Sequence, residues 1–355
     1  MSKSTAGSST MKAFVLHGAE DIRLEEVSRP TPGIKEALVK VRAAGICGSD
    51  LHYHAHGRCG DFVPTQPFIL GHEFAGEIVA VGDPNNESLI GSRVAVDPSR
   101  PCGQCRICRQ GRYNLCPEMV YFGSASVTPP SDGCFAEYVV APVTNCVPIP
   151  DDFEFAWGAL LEPLSVATHA VMRSGGVAGK SVLITGGGTI GQMILLVAKA
   201  FGASKVVISD VKPFSRDFAM EQGASAAFDP LADDFSQQVA THAPEGFEVV
   251  FEASGVAAAL DQAFQLAASG STVVQVGTLN NGIAVPINTL LTREIQYIGS
   301  WRFANVFDRV LDLISSGTID IRALISQKMP FSDLPAAIQA ATGADVIKVQ
   351  IENLD

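Results

Sequence analysis

Four cysteines, Cys102, Cys105, Cys108 and Cys116, follow the spacing C-x2-C-x2-C-x7-C. Four thiolates gathered in one loop make a closed tetrahedral zinc site, structural rather than catalytic. Such a site orders a loop with too little apolar material to fold alone. One rival is an iron–sulfur cluster, since Pro117 follows the fourth cysteine, but the ferredoxin run ends C-x3-C-P. A nucleic-acid-binding knuckle and four unconnected thiols are the other readings. A second group of reactive side chains, Cys47, Ser49, Asp50 and His52, falls within Gly45–Tyr53. His72-Glu73 forms a third, and Glu162 a fourth point. Each has a plain reading by itself: a buried cysteine is usually a small hydrophobe, and a His-Glu pair is usually structural. Their coincidence with a nucleotide-binding pattern gives them weight together.

That pattern is Gly186-Gly-Gly188-Thr189-Ile190-Gly191, a G-x-G-x-x-G run after the apolar strand Ser181–Thr185 and at the opening of an apolar helix that reaches Ala200. Only in this strand–turn–helix context does the motif mean dinucleotide binding. Missing side chains let the backbone approach a pyrophosphate, and the helix N-terminus favours its charge. Asp210 ends the next strand, about 20 residues on, where a carboxylate accepts hydrogen bonds from the adenosine ribose and repels a 2′-phosphate. NAD is therefore expected over NADP, although Lys212 and Arg216 lie close enough in sequence to meet a phosphate. Val276-Gly277-Thr278, at another strand end, is a further expected cofactor contact.

The elements that must position these groups change character along the chain. Residues 12–155 read as short strands between Gly/Pro turns: Lys12–Leu16, Ala37–Ala43, Phe74–Val81, Arg93–Val96 and Phe135–Val147. Two long irregular stretches, Gly57–Pro67 and Ser99–Pro130, are of the length usually kept for function. Beyond residue 160 strands and helices alternate: strands Lys205–Asp210, Glu248–Glu252 and Thr272–Val276, with helices Pro213–Gln222 and Val256–Ala268. This predicts a parallel, doubly wound α/β sheet of the Rossmann type. A strand to Gly299, a helix near Val306–Ser315 and a last strand Asp345–Ile351 follow.

The chain has 355 residues, 47% of them apolar, enough for two folded domains with substantial cores. A net charge of −12 argues against nucleic-acid and anionic-membrane partners. Residues 1–10 carry no apolar export segment and read as a flexible tail. Eight cysteines without such a segment point to metal binding in a reducing, cytoplasmic compartment.

The segments Gly45–Tyr53 and Pro67–Gly76, with Pro98–Gly103, Tyr121–Ala125 and Gly299–Phe303, make residues 12–355 resemble the zinc-containing medium-chain alcohol dehydrogenases. Within them the chain is similar to the polyol branch and its L-idonate 5-dehydrogenase group. The resemblance implies a GroES-like β-rich catalytic domain over 11–160 and 300–355, with its structural zinc lobe at 99–118. A Rossmann NAD-binding domain over 161–299 is inserted between. It also implies catalytic zinc on Cys47 and His72, with Glu73 and Glu162 alternating between direct ligation and support, and Asp50 orienting His72. Ser49 and His52 match a proton relay, and Tyr53, Arg302 and Phe303 a substrate site. The family's adenosine-binding arginine is here Ser215, with Arg216 one place off, and all four lobe cysteines are present, which the polyol branch often lacks.

The expected function is reversible oxidation of a secondary alcohol in a sugar acid, L-idonate to 5-ketogluconate, with hydride transfer to NAD in a protein holding two zinc ions per chain. The alternative is a neutral polyol, sorbitol or xylitol. Arg58, Arg302, His54 and His56 are candidate cations for a carboxylate substrate. A non-catalytic nucleotide-binding relative would have lost ligands that this chain retains. The resemblance further implies a homo-oligomer, dimer or tetramer.

Overall fold

The computed structural model describes residues 9–352. Of the expected tail, residues 1–8 lie outside the described residues, while Thr10 already opens a strand. The chain divides into two compact units. One runs up to Glu162 and adds Ile325–Thr342 and the residues from Lys348 onward; the other comprises Pro163–Leu324 and Gly343–Ile347.

The first unit is β-rich. Its larger sheet has the order Cys146–Pro148, Arg93–Val96, Glu73–Val81, Glu36–Gly45, Lys348–Glu352, Ile325–Pro330, and Tyr138–Pro142 also pairs with Glu36–Gly45. A smaller sheet joins Asp21–Ser28, Thr10–Gly18 and Phe68–Ile69. The strand expected over Phe135–Val147 is two strands. Between them Val143–Asn145 forms a tight helical turn. Pro142 cannot continue a ladder as a donor, and the Asn145 amide donates to the carbonyls of Asp97 and Ser99 at 2.8 and 2.6 Å. The chain therefore changes partner there, from Glu36–Gly45 to Arg93–Val96.

The second unit holds a fully parallel sheet in the order Ala226–Phe228, Lys205–Ser209, Ser181–Thr185, Phe247–Glu252, Ala267–Gln275, Gln296–Gly299. The order reverses between Ser181–Thr185 and Phe247–Glu252, which makes the crevice at their carboxyl ends the place for a ligand. Leu183, Val207, Phe247, Val250, Leu260, Phe264 and Val273 are fully or almost fully buried in one core cluster, as expected for strands covered on both faces. Residues 300–324 cluster here too: Ser300 N donates to Gln275 O at 2.9 Å, prolonging the sheet, and Phe303, Val310 and Leu324 are buried. The last strand begins at Lys348, later than the expected Asp345. The preceding carbonyls are taken within the second unit: Lys212 Nζ donates to Gly343 O at 3.0 Å, and the Thr189 hydroxyl donates to Ile347 O.

Candidate active site

Three strand ends of the first unit converge. Gly45, at the end of Glu36–Gly45, pairs with Glu73 on one side and Gln350 on the other. Cys47 follows one end, His72-Glu73 begins the second and Lys348 begins the third. A Cβ on Gly45 would lie 2.0 Å from Glu73 Oε2 and 3.1 Å from Lys348 Cε. Glycine is thus required where the Glu73–Lys348 pair crosses the sheet.

Candidate ligand atoms of Cys47, His72 and Glu73 lie within 4.8 Å of one another. Cys47 caps the helix Gly48–His56. Asp50, fully buried in the first turn of that helix, accepts from Cys47 N at 2.9 Å and from Gly71 N at 3.2 Å. Its Oδ1 stands 3.9 Å from His72 Nδ1. One carboxylate therefore fixes both backbone segments that carry the candidate ligands. Glu162, which ends the first segment of this unit, accepts from the Tyr121 hydroxyl at 2.5 Å, and the Tyr121 ring lies 5.7 Å from that of His72.

Charge at this place is mainly negative. Burial disfavours a charged His72, yet Cys47, Asp50 and Glu162 raise it to about 10. Burial, reinforced by Glu73, pushes Glu162 up to about 7, against the pull of His72, Tyr121 and Lys348. The same field that draws a proton to His72 draws a divalent cation. Glu73 Oε1 accepts from Lys348 Nζ at 2.7 Å. Its Oε2 is ion-paired to the same nitrogen at 2.5 Å, and the carboxylate has further lone pairs that a cation could take. Sulfur, imidazole and carboxylate are a zinc donor set, and the residues fit that ion.

Lys348 is the participant that sequence reasoning missed. It is 3% exposed and also donates to Ile46 O at 2.9 Å. In Ile347-Lys-Val-Gln-Ile351 the alternation reads as a strand with one polar face, so nothing local reveals that this face is covered.

The other expected residues are distributed as follows. Ser49 is half-buried and His52 exposed on the helix Gly48–His56, three residues apart and hence on one side of it. Tyr53 is buried and its hydroxyl accepts from Ala125 N at 3.0 Å. In the second unit Arg302 adopts a left-handed backbone (φ 50°) with its guanidinium over Trp301. Phe303 is fully buried and stacks on Phe307, so its ring serves that unit's core.

The four lobe cysteines also cluster within 4.8 Å. Cys102 and Cys108 sulfurs stand 4.0 Å apart, about twice the ~2.05 Å of a disulfide and suited to a shared metal. Backbone N–H groups of Cys102, Cys105 and Cys108 each point at a neighbour's sulfur at 3.4 Å, a pattern that stabilises thiolates. Hydrogen bonding from the Cys108 N–H lowers the Cys105 thiol to about 7. The four residues fit a second zinc.

In the second unit Gly186 has φ 102°, and a Cβ there would lie 2.7 Å from Ser254 N. A Cβ on Gly191 would meet Gly186 O at 1.8 Å, so strand and helix touch through these glycines. Around Gly188 a Cβ would meet nothing within 4 Å. The fold does not need glycine there, whereas a bound pyrophosphate would. Thr189 and Ile190 open the helix and are half-buried. Asp210 accepts from Gly187 N at 2.6 Å and from Lys212 N at 2.7 Å, which pins its carboxylate beside the turn. Val276 N and Gly277 N donate to Glu252 O at 2.8 and 2.9 Å, and Thr278 is exposed. The cradle fits a dinucleotide.

Comparison with known proteins agrees with these two units. Residues 33–151 match the alcohol dehydrogenase GroES-like domain and residues 189–316 the zinc-binding dehydrogenase domain. Sorbitol dehydrogenase of Bacillus subtilis is 36% identical over 334 residues, 93% of each chain. The crystal structure of L-idonate 5-dehydrogenase from Escherichia coli is similar at TM-score 0.89 and 34% identity, covering 97% of this chain and 98% of that one. A zinc-binding dehydrogenase from Sinorhizobium meliloti, solved with NADP, gives TM-score 0.89 and 36% identity over 98% and 100% of the two chains. With a cysteine–histidine–glutamate cluster in a GroES-like unit and a glycine turn in a Rossmann unit, the chain belongs to the zinc-dependent alcohol dehydrogenase family, in its polyol branch.

Proposed function

We propose that this chain oxidises a secondary alcohol of a sugar acid, L-idonate to 5-ketogluconate, reversibly and with NAD. The observation that carries the dehydrogenase reading is the cluster of half-buried Cys47 with buried His72 and Glu73, beside buried Glu162. Cys47, His72 and one of the two glutamates would hold the catalytic ion, and the four lobe cysteines a structural one. Bound zinc supplies a Lewis acid that lowers the pKa of an alcohol oxygen, and bound NAD supplies the hydride acceptor. The protein does the rest. Asp50 orients Cys47 and His72. Lys348 offsets the charge of Glu73, and Tyr121 holds Glu162. Ser49, half-buried, and His52, exposed, give the released proton a path to solvent. Gly186–Gly191 and Asp210 seat the dinucleotide.

The acid substrate is supported by the likeness to an L-idonate 5-dehydrogenase. A neutral polyol is supported equally by the sorbitol dehydrogenase relative. A homo-oligomer is supported by the edge strand Gln296–Gly299 and by Ile287 and Leu291, which stand 66% and 74% exposed on the helix Ile287–Arg293. A cytoplasmic location is supported by two sites that need reduced thiols. The test is NADH absorbance across L-idonate, D-gluconate, sorbitol, xylitol and threonine. L-idonate should give the highest kcat/KM. A higher value for sorbitol or xylitol selects the second reading, and turnover of threonine alone contradicts both.

A further inference from the structure

Two cations stand near Asp210 and could turn the ribose site toward a 2′-phosphate. Lys212 is committed, with its Nζ on Gly343 O at 3.0 Å. Arg216, on the helix Pro213–Glu221, donates from one terminal nitrogen to the carbonyls of Asp210 at 2.8 Å and Val211 at 3.1 Å. A guanidinium this close to the strand end is well placed to form the paired hydrogen bonds that phosphates favour.

Asp229 opposes that. It follows the strand Ala226–Phe228, which neighbours Lys205–Ser209, and Asp210 N donates to Phe228 O across the two strand ends at 3.1 Å. The Asp229 Oδ1 accepts from Leu231 N at 2.9 Å, which fixes the carboxylate in its turn. Its Oδ2 stands 3.3 Å from the same Arg216 nitrogen. Arg216 is thus held between the Asp229 carboxylate beyond one strand end and the Asp210 and Val211 carbonyls at the adjacent one.

We infer that Asp229 is a specificity-determining residue: it withholds Arg216 from the ribose site, so that discrimination against a 2′-phosphate has two layers, the charge of Asp210 and the restraint of Arg216 by Asp229. This rests on the dinucleotide reading of the Gly186–Gly191 turn. An isolated surface ion pair is worth little by itself; the inferred role is positional, through where the guanidinium can point.

The test is calorimetric binding of ADP-ribose and of its 2′-phosphate to the zinc-loaded protein, for the parent, Asp229→Ala, Arg216→Ala and the double variant. Asp229→Ala should shift the affinity ratio toward the 2′-phosphate by about tenfold, the scale of one charged hydrogen bond. The double variant should lose most of that gain. An unchanged ratio in Asp229→Ala overturns the inference while leaving the dinucleotide reading intact. An equal gain in the double variant also overturns it, since removal of a negative charge alone would then suffice. Failure of the parent to bind ADP-ribose would overturn the dinucleotide reading and this inference with it.

Discussion

Replacing Lys348 by Met removes the ammonium that neutralises Glu73 while keeping most of the side-chain volume. The two side chains are 2% and 1% exposed, so water has no room to replace the lost charge. Breaking a buried pair from one side costs about 3–5 kcal/mol, and the Ile46 carbonyl loses its donor for about 1 kcal/mol more. We therefore expect the first unit to lose roughly 5 kcal/mol of unfolding free energy, seen as a lower urea midpoint at unchanged slope. Trp157 lies in the first unit and Trp301 in the second, so fluorescence in a Trp301→Phe background reports the unit of interest. Lys348→Met combined with Glu73→Gln should recover much of the loss, because the amide leaves no charge stranded. A loss below about 1 kcal/mol, the scale of an exposed pair, would refute the reasoning. So would a double variant as unstable as the sum of the singles, since partners in contact should not be additive.

Gly191→Ala should fail to fold or unfold readily, since its Cβ would sit 1.8 Å from Gly186 O, whereas Gly188→Ala meets nothing within 4 Å and should keep the parent melting temperature while binding NADH more weakly; equal stability of the two variants contradicts this reading of the turn. Cys105→Ser should lower bound zinc from two ions to one per chain and open residues 99–118 to protease, with NADH affinity preserved; a lobe that stays resistant means that metal does not order it. Asp210→Ala should raise use of NADP relative to NAD, and an unchanged ratio would mean that the ribose is read elsewhere.

The parallel sheet was legible because its strands are covered on both faces and read as apolar runs, with the glycine turn marking the strand–helix junction. The strand Asp21–Ser28 was not foreseen: in Asp-Ile-Arg-Leu-Glu-Glu-Val-Ser no position is buried, and a sheet edge needs little apolar alternation. The Cys47–His72–Glu73 cluster was readable as a candidate because cysteine, histidine and glutamate have few dull reasons to coincide with a nucleotide fold. Its support was less so. Tyr121 and Lys348 act through contacts 41 and 275 residues away in sequence, and burial of a lysine by a neighbouring strand leaves no local trace. Phe303, expected at the substrate site, is fully buried and stacked on Phe307; an aromatic near a matching motif looks the same in sequence whether it serves a core or a cleft.

The account depends most on zinc at Cys47, His72 and a glutamate. Bound zinc and NADH formation should be followed together as a chelator is added to the purified protein. Turnover should fall in proportion to loss of one of two ions per chain and return when zinc is restored, and Cys47→Ala should carry one ion, bind NADH and turn over no substrate. Full turnover after that ion is gone, or activity in Cys47→Ala within tenfold of the parent, would contradict the account.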